Sequence, residues 1–136
     1  MVSFLSLLFT VLSLILTPTG LKVTASTVSY ESGKDTVAAC VICYGRLVTD
    51  SSNIARIPCP TLGLFGEEDQ GITPQSVHEF EAACKGLGKK IDVKIYQHAG
   101  HAFMNPNNKG GYRKLSADDA WEKIYNFFSN TLAHKP

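Results

Sequence analysis

The chain has 136 residues, 44% of them hydrophobic, and its 13 Lys and Arg against 12 Asp and Glu leave a formal charge of +1. That length allows one modest domain with a single core, and not two. The near-neutral balance gives no basic stripe for nucleic acid and no acidic block that would keep the chain disordered.

The first segment differs in kind from the rest. "MVSFLSLLFTVLSLIL" carries no charge, and the first charged side chain is Lys22. A membrane span needs about 20 apolar residues, so the run is short for one, yet it suits the hydrophobic region of a signal peptide. Pro18 and Gly20 break it, and Ala25 in "VTAS" offers a cleavage point, although no Lys or Arg precedes the apolar run. Residues 1–25 are therefore read as a signal peptide-like segment or weak anchor, which would make the protein secreted or membrane-tethered. The alternatives are a buried helix of the domain, or a start created by truncation or a changed reading frame; without a signal the expected location is cytoplasmic. Residues 26–35, "STVSYESGKD", read as a polar linker.

The periodic part follows. "TVAACVICY" is a continuous apolar run rich in small and β-branched residues, as in a strand covered on both faces of a parallel sheet, and Gly45 ends it. Residues 46–58 predict a loop with one helical turn. Pro58 and Pro60 bracket the start of a second doubly buried strand, "TLGLF". After "GEEDQGI" the period changes: Thr73 caps a helix with Pro74 as its first residue, and Val77, Phe80, Cys84 and Leu87 form its apolar stripe. Gly86 and Gly88 stop it. "IDVKIY" alternates Ile91, Val93 and Ile95 with Asp92, Lys94 and Tyr96, a strand with one wet face near the sheet edge. Residues 97–115 form a long polar loop, of the length that is usually functional. Ser116 and Asp119 predict a capping-box start for a closing helix with Trp121, Ile124, Phe128 and Leu132 on its apolar side, Trp121 and Phe128 in the core.

The fold class is thus α/β, a mostly parallel sheet of about three strands flanked by two or three helices. In such sheets, sites lie beyond the carboxyl ends of the strands. Asp69 follows "TLGLF" and His101 follows "IDVKIY", so both fall at that edge. An acid that orients an imidazole, and an imidazole that shuttles a proton, are two members of a nucleophile–His–Asp relay, and histidine titrates near neutral pH. The third member is harder to find. Cys40 and Cys43 lie mid-strand, without the exposure or oxyanion donors a nucleophile needs, and read as reduced core thiols rather than a redox pair. Cys59 and Cys84 are read likewise. No His, Cys or carboxylate set has a metal-ligand spacing.

The stretch "PTLGLFGEEDQGITPQSVHEFEAACKGLGKKIDVKIYQHAGHAFMN", with Tyr112 and the "DDAWEKIYNFF" helix, resembles the C-terminal half of the dienelactone hydrolase family, and "AACVICYGR" resembles its preceding strand and Tyr-Gly turn. The match covers residues 36–133. The resemblance implies an α/β-hydrolase fold and hydrolysis of a small carboxylic ester or lactone by a Cys-Asp-His triad without metal or cofactor, Asp69 standing for the acid and His101 for the base. Phe103 is a candidate to line an acyl pocket, with packing beneath the loop as the competing role. The sequence departs from the family at the nucleophile: no G-x-[CS]-x-G turn occurs in it. The expectation is a protein inactive alone. The alternatives are a pseudoenzyme that binds a small carboxylate, or part of a longer, active hydrolase. An apolar sheet edge left uncovered would also favour self-association.

Overall fold

The computed structural model of the protein describes the backbone of residues 9–17, 20–28 and 37–132, and the side chains of residues 37–132. In chain order the elements are β1 (Phe9–Thr17), β2 (Gly20–Val28), β3 (Cys40–Cys43), α1 (Ser51–Ala55), β4 (Thr61–Gly66), α2 (Pro74–Gly86), β5 (Ile91–Tyr96) and α3 (Lys114–Leu132). β3, β4 and β5 make a parallel sheet in that order, with Cys40 opposite Thr61 and Thr61 opposite Ile91. β1 and β2 pair antiparallel as a separate two-stranded sheet, Phe9 opposite Val28. The sequence analysis did not anticipate this hairpin. The signal- or anchor-like reading of residues 1–25 falls partly outside the described residues, as does most of the predicted linker.

Side chains of β3 and β4 alternate between two cores, one on each face of the sheet. Val41, Leu62 and Leu64 join Tyr96, Phe103, Ala117, Ala120, Ile124 and Phe128 under α3. Ile42 and Phe65 join Ile54, Val77, Phe80 and Cys84 under α1 and α2. The central strand β4 is buried at all six positions, which explains its lack of polar alternation. Each large side chain so enclosed contributes about 1.5–3 kcal/mol of transfer free energy.

The helix ends follow local chemistry. Thr73 Oγ1 accepts from the Ser76 N–H, Pro74 opens α2, and Gly88, at φ +68°, lets the Lys89 N–H reach back to the Cys84 carbonyl. The Lys89 ammonium donates to the carbonyls of Ala55, the last residue of α1, and of Ile57 just past it.

Four sequence expectations are corrected. α3 begins at Lys114, with the Arg113 carbonyl accepting the Ala117 N–H, so Ser116 lies inside the helix and does not cap it. Its buried stripe is Ala117, Ala120, Ile124 and Phe128, while Trp121 is 42% exposed and Leu132 41%; small alanines at the contact let α3 sit close to the sheet and turn Trp121 to its flank. Tyr96, assigned to the wet face of β5, is buried because α3 covers that end of the strand, where its hydroxyl is 2.8 Å from Asp119 Oδ2, while Asp92 and Lys94 on the same face stay exposed. Leu87 also leaves the α2 stripe: it is the C-cap, and 43% exposed.

Candidate functional site

The turn after β4 and the loop after β5 meet at the carboxyl edge of the sheet. The ladder between the two strands continues past their ends, with the Glu67 N–H donating to the Tyr96 carbonyl and the Glu68 N–H to that of Ala99, at 2.9 and 2.8 Å. Gly66 makes this approach possible. A Cβ there would collide with the Ala99 carbonyl oxygen and lie 2.7 Å from that of Gly100. The glycine in "LFGEED" is therefore a requirement of the close approach between the two segments, not of its own turn.

Asp69 is almost entirely enclosed, its side chain 2% exposed. Its Oδ1 accepts from the N–H groups of Gly71 and Ile72, at 2.9 and 3.0 Å, so the carboxylate is fixed by its own turn. Oδ2 is left for His101, whose Nδ1 lies 2.7 Å away. An ionised carboxylate can only accept, which puts the proton on Nδ1 and leaves Nε2 as the free, basic nitrogen. Burial pushes the Asp69 pKa up, but the hydrogen bonds from His101, Ile72 and Gly71 and the nearby imidazole charge outweigh it, and the net direction is downward.

His101 itself is 58% exposed on its side chain. The backbone behind it is held from several sides. Ala102 has φ +58°, and the Asn108 side-chain amide donates to the carbonyls of His101 and Ala102 at 3.0 and 3.3 Å. Arg113 closes the loop, its Nε donating to the His98 carbonyl and its Nη1 to that of Gly110. A 17-residue connection between β5 and α3 is thereby braced by its own side chains. His98 is exposed, as is His78 on α2. Phe103, the candidate pocket residue, has no exposed surface and packs between the rings of Tyr96 and Tyr44, at 4.9 and 5.9 Å. The packing alternative describes it.

Cys40 and Cys43 are the first and last residues of β3, not mid-strand as expected, and are half-buried free thiols, because the strand pairs with β4 over only four residues. Burial, and then the neighbouring Cys59 and Cys43, push Cys40 up to about 12; burial pushes Cys43 up to about 11. Both are protonated at neutral pH and unsuited to nucleophilic attack. Among the described residues no group of three or more His, Cys, Asp or Glu is arranged to hold a metal ion.

A relay in which a buried carboxylate orients an imidazole, at the carboxyl edge of a parallel sheet, can accept and return a proton. Comparison with known proteins gives the family. The family model for the dienelactone hydrolase family matches residues 24–132. The chain belongs to the dienelactone hydrolase family. The matched region starts before the 36–133 read from the sequence, and so takes in the predicted linker. Among relatives, a Methylorubrum extorquens protein named "Putative carboxymethylenebutenolidase" is 36% identical over 108 residues, 73% of this chain and 37% of the relative. An Escherichia coli protein of the same name is 32% identical over 73% of this chain and 40% of its own length. The chain thus spans about two-fifths of the curated relatives it matches. Among solved structures, a dienelactone hydrolase-like promiscuous phosphotriesterase from metagenomic libraries, P91, superposes with a TM-score of 0.62 at 20% identity, over 69% of this chain and 42% of that one. At that identity the likeness shows the fold.

Two features of the site were missed in the sequence. Asn108 sits in a polar run with no pattern to mark it. Tyr44 was noted only as half of a Tyr-Gly turn; the signal that could have singled it out is a large aromatic residue at a strand exit, directly before a glycine.

Proposed function

We propose that this chain supplies the acid, Asp69, and the base, His101, of a small carboxylic ester or lactone hydrolase, and that the 136 residues alone do not complete the reaction. The observation that carries the reading is the 2.7 Å contact between His101 Nδ1 and a buried Asp69 carboxylate whose other oxygen is already held by two backbone N–H groups. In the proposed cycle His101 Nε2 takes the proton of a nucleophile as it attacks the ester carbonyl and gives it to the departing alcohol oxygen, then takes a proton from a water that attacks the acylated nucleophile and returns it to the nucleophile as the carboxylic acid leaves. Asp69 holds the tautomer and stabilises the imidazolium throughout. The family resemblance makes the nucleophile a cysteine in a G-x-C-x-G turn, and no such turn is present in these residues. Neither Cys40 nor Cys43 replaces it, for the reasons of burial given above.

Turnover of p-nitrophenyl acetate tests both halves of the proposal. The chain alone is expected to match buffer. Turnover above buffer that is abolished by His101→Ala would overturn the inactivity. A fusion placing the N-terminal part of the Escherichia coli relative, which the family resemblance expects to carry the nucleophile, ahead of residues 36–133 is expected to hydrolyse the ester, with losses of about 10²-fold or more for His101→Ala and Asp69→Asn. A folded fusion whose activity is indifferent to both changes would refute the assignment. Residues 1–25 are proposed as a signal or anchor, and N-terminal sequencing of the expressed protein reports whether they are removed.

A further inference from the structure

Tyr44 stands at the carboxyl end of β3 with φ +41°, in the left-handed region that a bulky aromatic residue rarely occupies. The Tyr44 N–H donates to the Leu64 carbonyl at 2.7 Å, continuing the parallel ladder past the end of β3. Backbone strain of this kind persists only where the surroundings over-determine it, and it concentrates at functional sites. What the conformation achieves is a ring contact. Tyr44 meets the His101 imidazole at 5.3 Å between centroids and 63° between planes, and is itself seated edge-to-face on the buried Phe103. Phe103 packs on Tyr96, and Tyr96 is anchored to α3 through Asp119. A column of rings therefore runs from α3, through the core, to one side of the catalytic imidazole.

A single hydrogen bond is a weak orienting device, because its angle tolerates wide deviation. An imidazole more than half exposed and tethered only at Nδ1 could swing about that bond or rotate away from it. Among the described residues Tyr44 is the one ring packed against His101. We propose that Tyr44 is a positioning residue for His101, its ring limiting rotation of the imidazole so that Nδ1 stays on Asp69 and Nε2 stays turned toward the open side. The inference rests on the Asp69–His101 relay proposed above. It assigns the work to the ring, not the hydroxyl, since the geometry is that of an edge-to-face aromatic pair within its preferred distance range.

The test reads the tautomer of His101 in the full ¹⁵N-labelled chain, by long-range ¹H–¹⁵N spectra at a pH where the imidazole is neutral, with His101→Gln to assign the signals. In the unaltered protein the Nδ1–H form is expected to dominate, and Asp69→Asn to reverse the preference. Tyr44→Phe keeps the ring and is expected to leave the ratio of the two tautomers unchanged. Tyr44→Gly removes the ring while accepting the left-handed backbone, and is expected to lower the Nδ1–H to Nε2–H ratio about threefold or more. Tyr44→Asn, which also tolerates that backbone, gives the same reading should the glycine variant not fold. If both ring-less variants keep the ratio while Asp69→Asn reverses it, the positioning role is wrong and the relay stands. A Tyr44→Phe change as large as that of Tyr44→Gly would also overturn the role of the ring. If Asp69→Asn leaves the tautomers unaltered, the relay itself fails.

Discussion

Gly66→Ala should damage the protein out of proportion to one methyl group. The added Cβ would overlap the Ala99 carbonyl oxygen and stand at 2.7 and 2.8 Å from the Gly100 oxygen and the Ala99 carbonyl carbon, all backbone atoms that no side-chain rotation can clear. Ordinary contact requires one segment to retreat by about half an ångström or more, and overpacking of that kind costs about 1–3 kcal/mol. The retreat also lengthens the Glu68 N–H to Ala99 carbonyl bond, now 2.8 Å, at a further cost of about 1 kcal/mol. With 4–8 °C per kcal/mol expected for a domain of about 100 ordered residues, the melting midpoint should fall by about 10–20 °C. Thermal denaturation followed by circular dichroism measures it, with Gly86→Ala as the control. Gly86 ends α2 with nothing within 4 Å of an added Cβ, so that variant should be neutral or slightly stabilised. A Gly66→Ala midpoint within about 3 °C of the unaltered protein would refute the close-approach argument.

Three further outcomes are expected. Asp69 has its folded pKa held below the ordinary value of 3.8, so the stability it contributes is present above that value and lost as pH falls through the lower folded one; Asp69→Asn should cost about 1–2 kcal/mol at pH 7 and progressively less toward pH 2, and a constant difference across that range would contradict the sign. With Cys40 pushed up to about 12 and Cys43 to about 11, alkylation by iodoacetamide at pH 8 should run about 10²–10³-fold slower in the folded chain than in urea, and rates within tenfold would show thiolates the structure does not provide. Self-association should use the β3 side of the sheet, whose strand has no charged side chain and against which β1 packs, and not β5, whose exposed Asp92 and Lys94 blunt that edge. Light scattering on a size-exclusion column would answer this, and a monodisperse monomer would be the contrary result.

The alternation of doubly buried strands with amphipathic helices announced the parallel sheet, because a strand enclosed on both faces has no polar positions to spare. Asp69 and His101 were legible for a related reason: each follows such a strand, and strand exits define the edge where sites assemble. Thr73 and Pro74 marked the α2 start through chemistry contained within one turn. What could not be read depends on partners remote in sequence. Tyr96 looked wet until α3 covered it, Trp121 looked buried until Ala117 and Ala120 took the contact, and nothing near Gly66 indicates that residues 99 and 100 arrive beside it. The β1–β2 hairpin was missed because the apolar run of β1 carries no alternation by which a strand can be told from a helix or a leader, although Leu21, Lys22, Val23, Thr24, Ala25 and Ser26 of β2 do alternate.

The contacts of the Asp69 carboxylate close loops of very different length. Oδ1 is held by N–H groups two and three residues ahead of it, a closure contained within one turn. The imidazole on Oδ2 comes from 32 residues further along, across α2 and β5. The loop-closure entropy of the pair therefore falls almost wholly on the histidine contact, while the acceptor draws its orientation from its own turn.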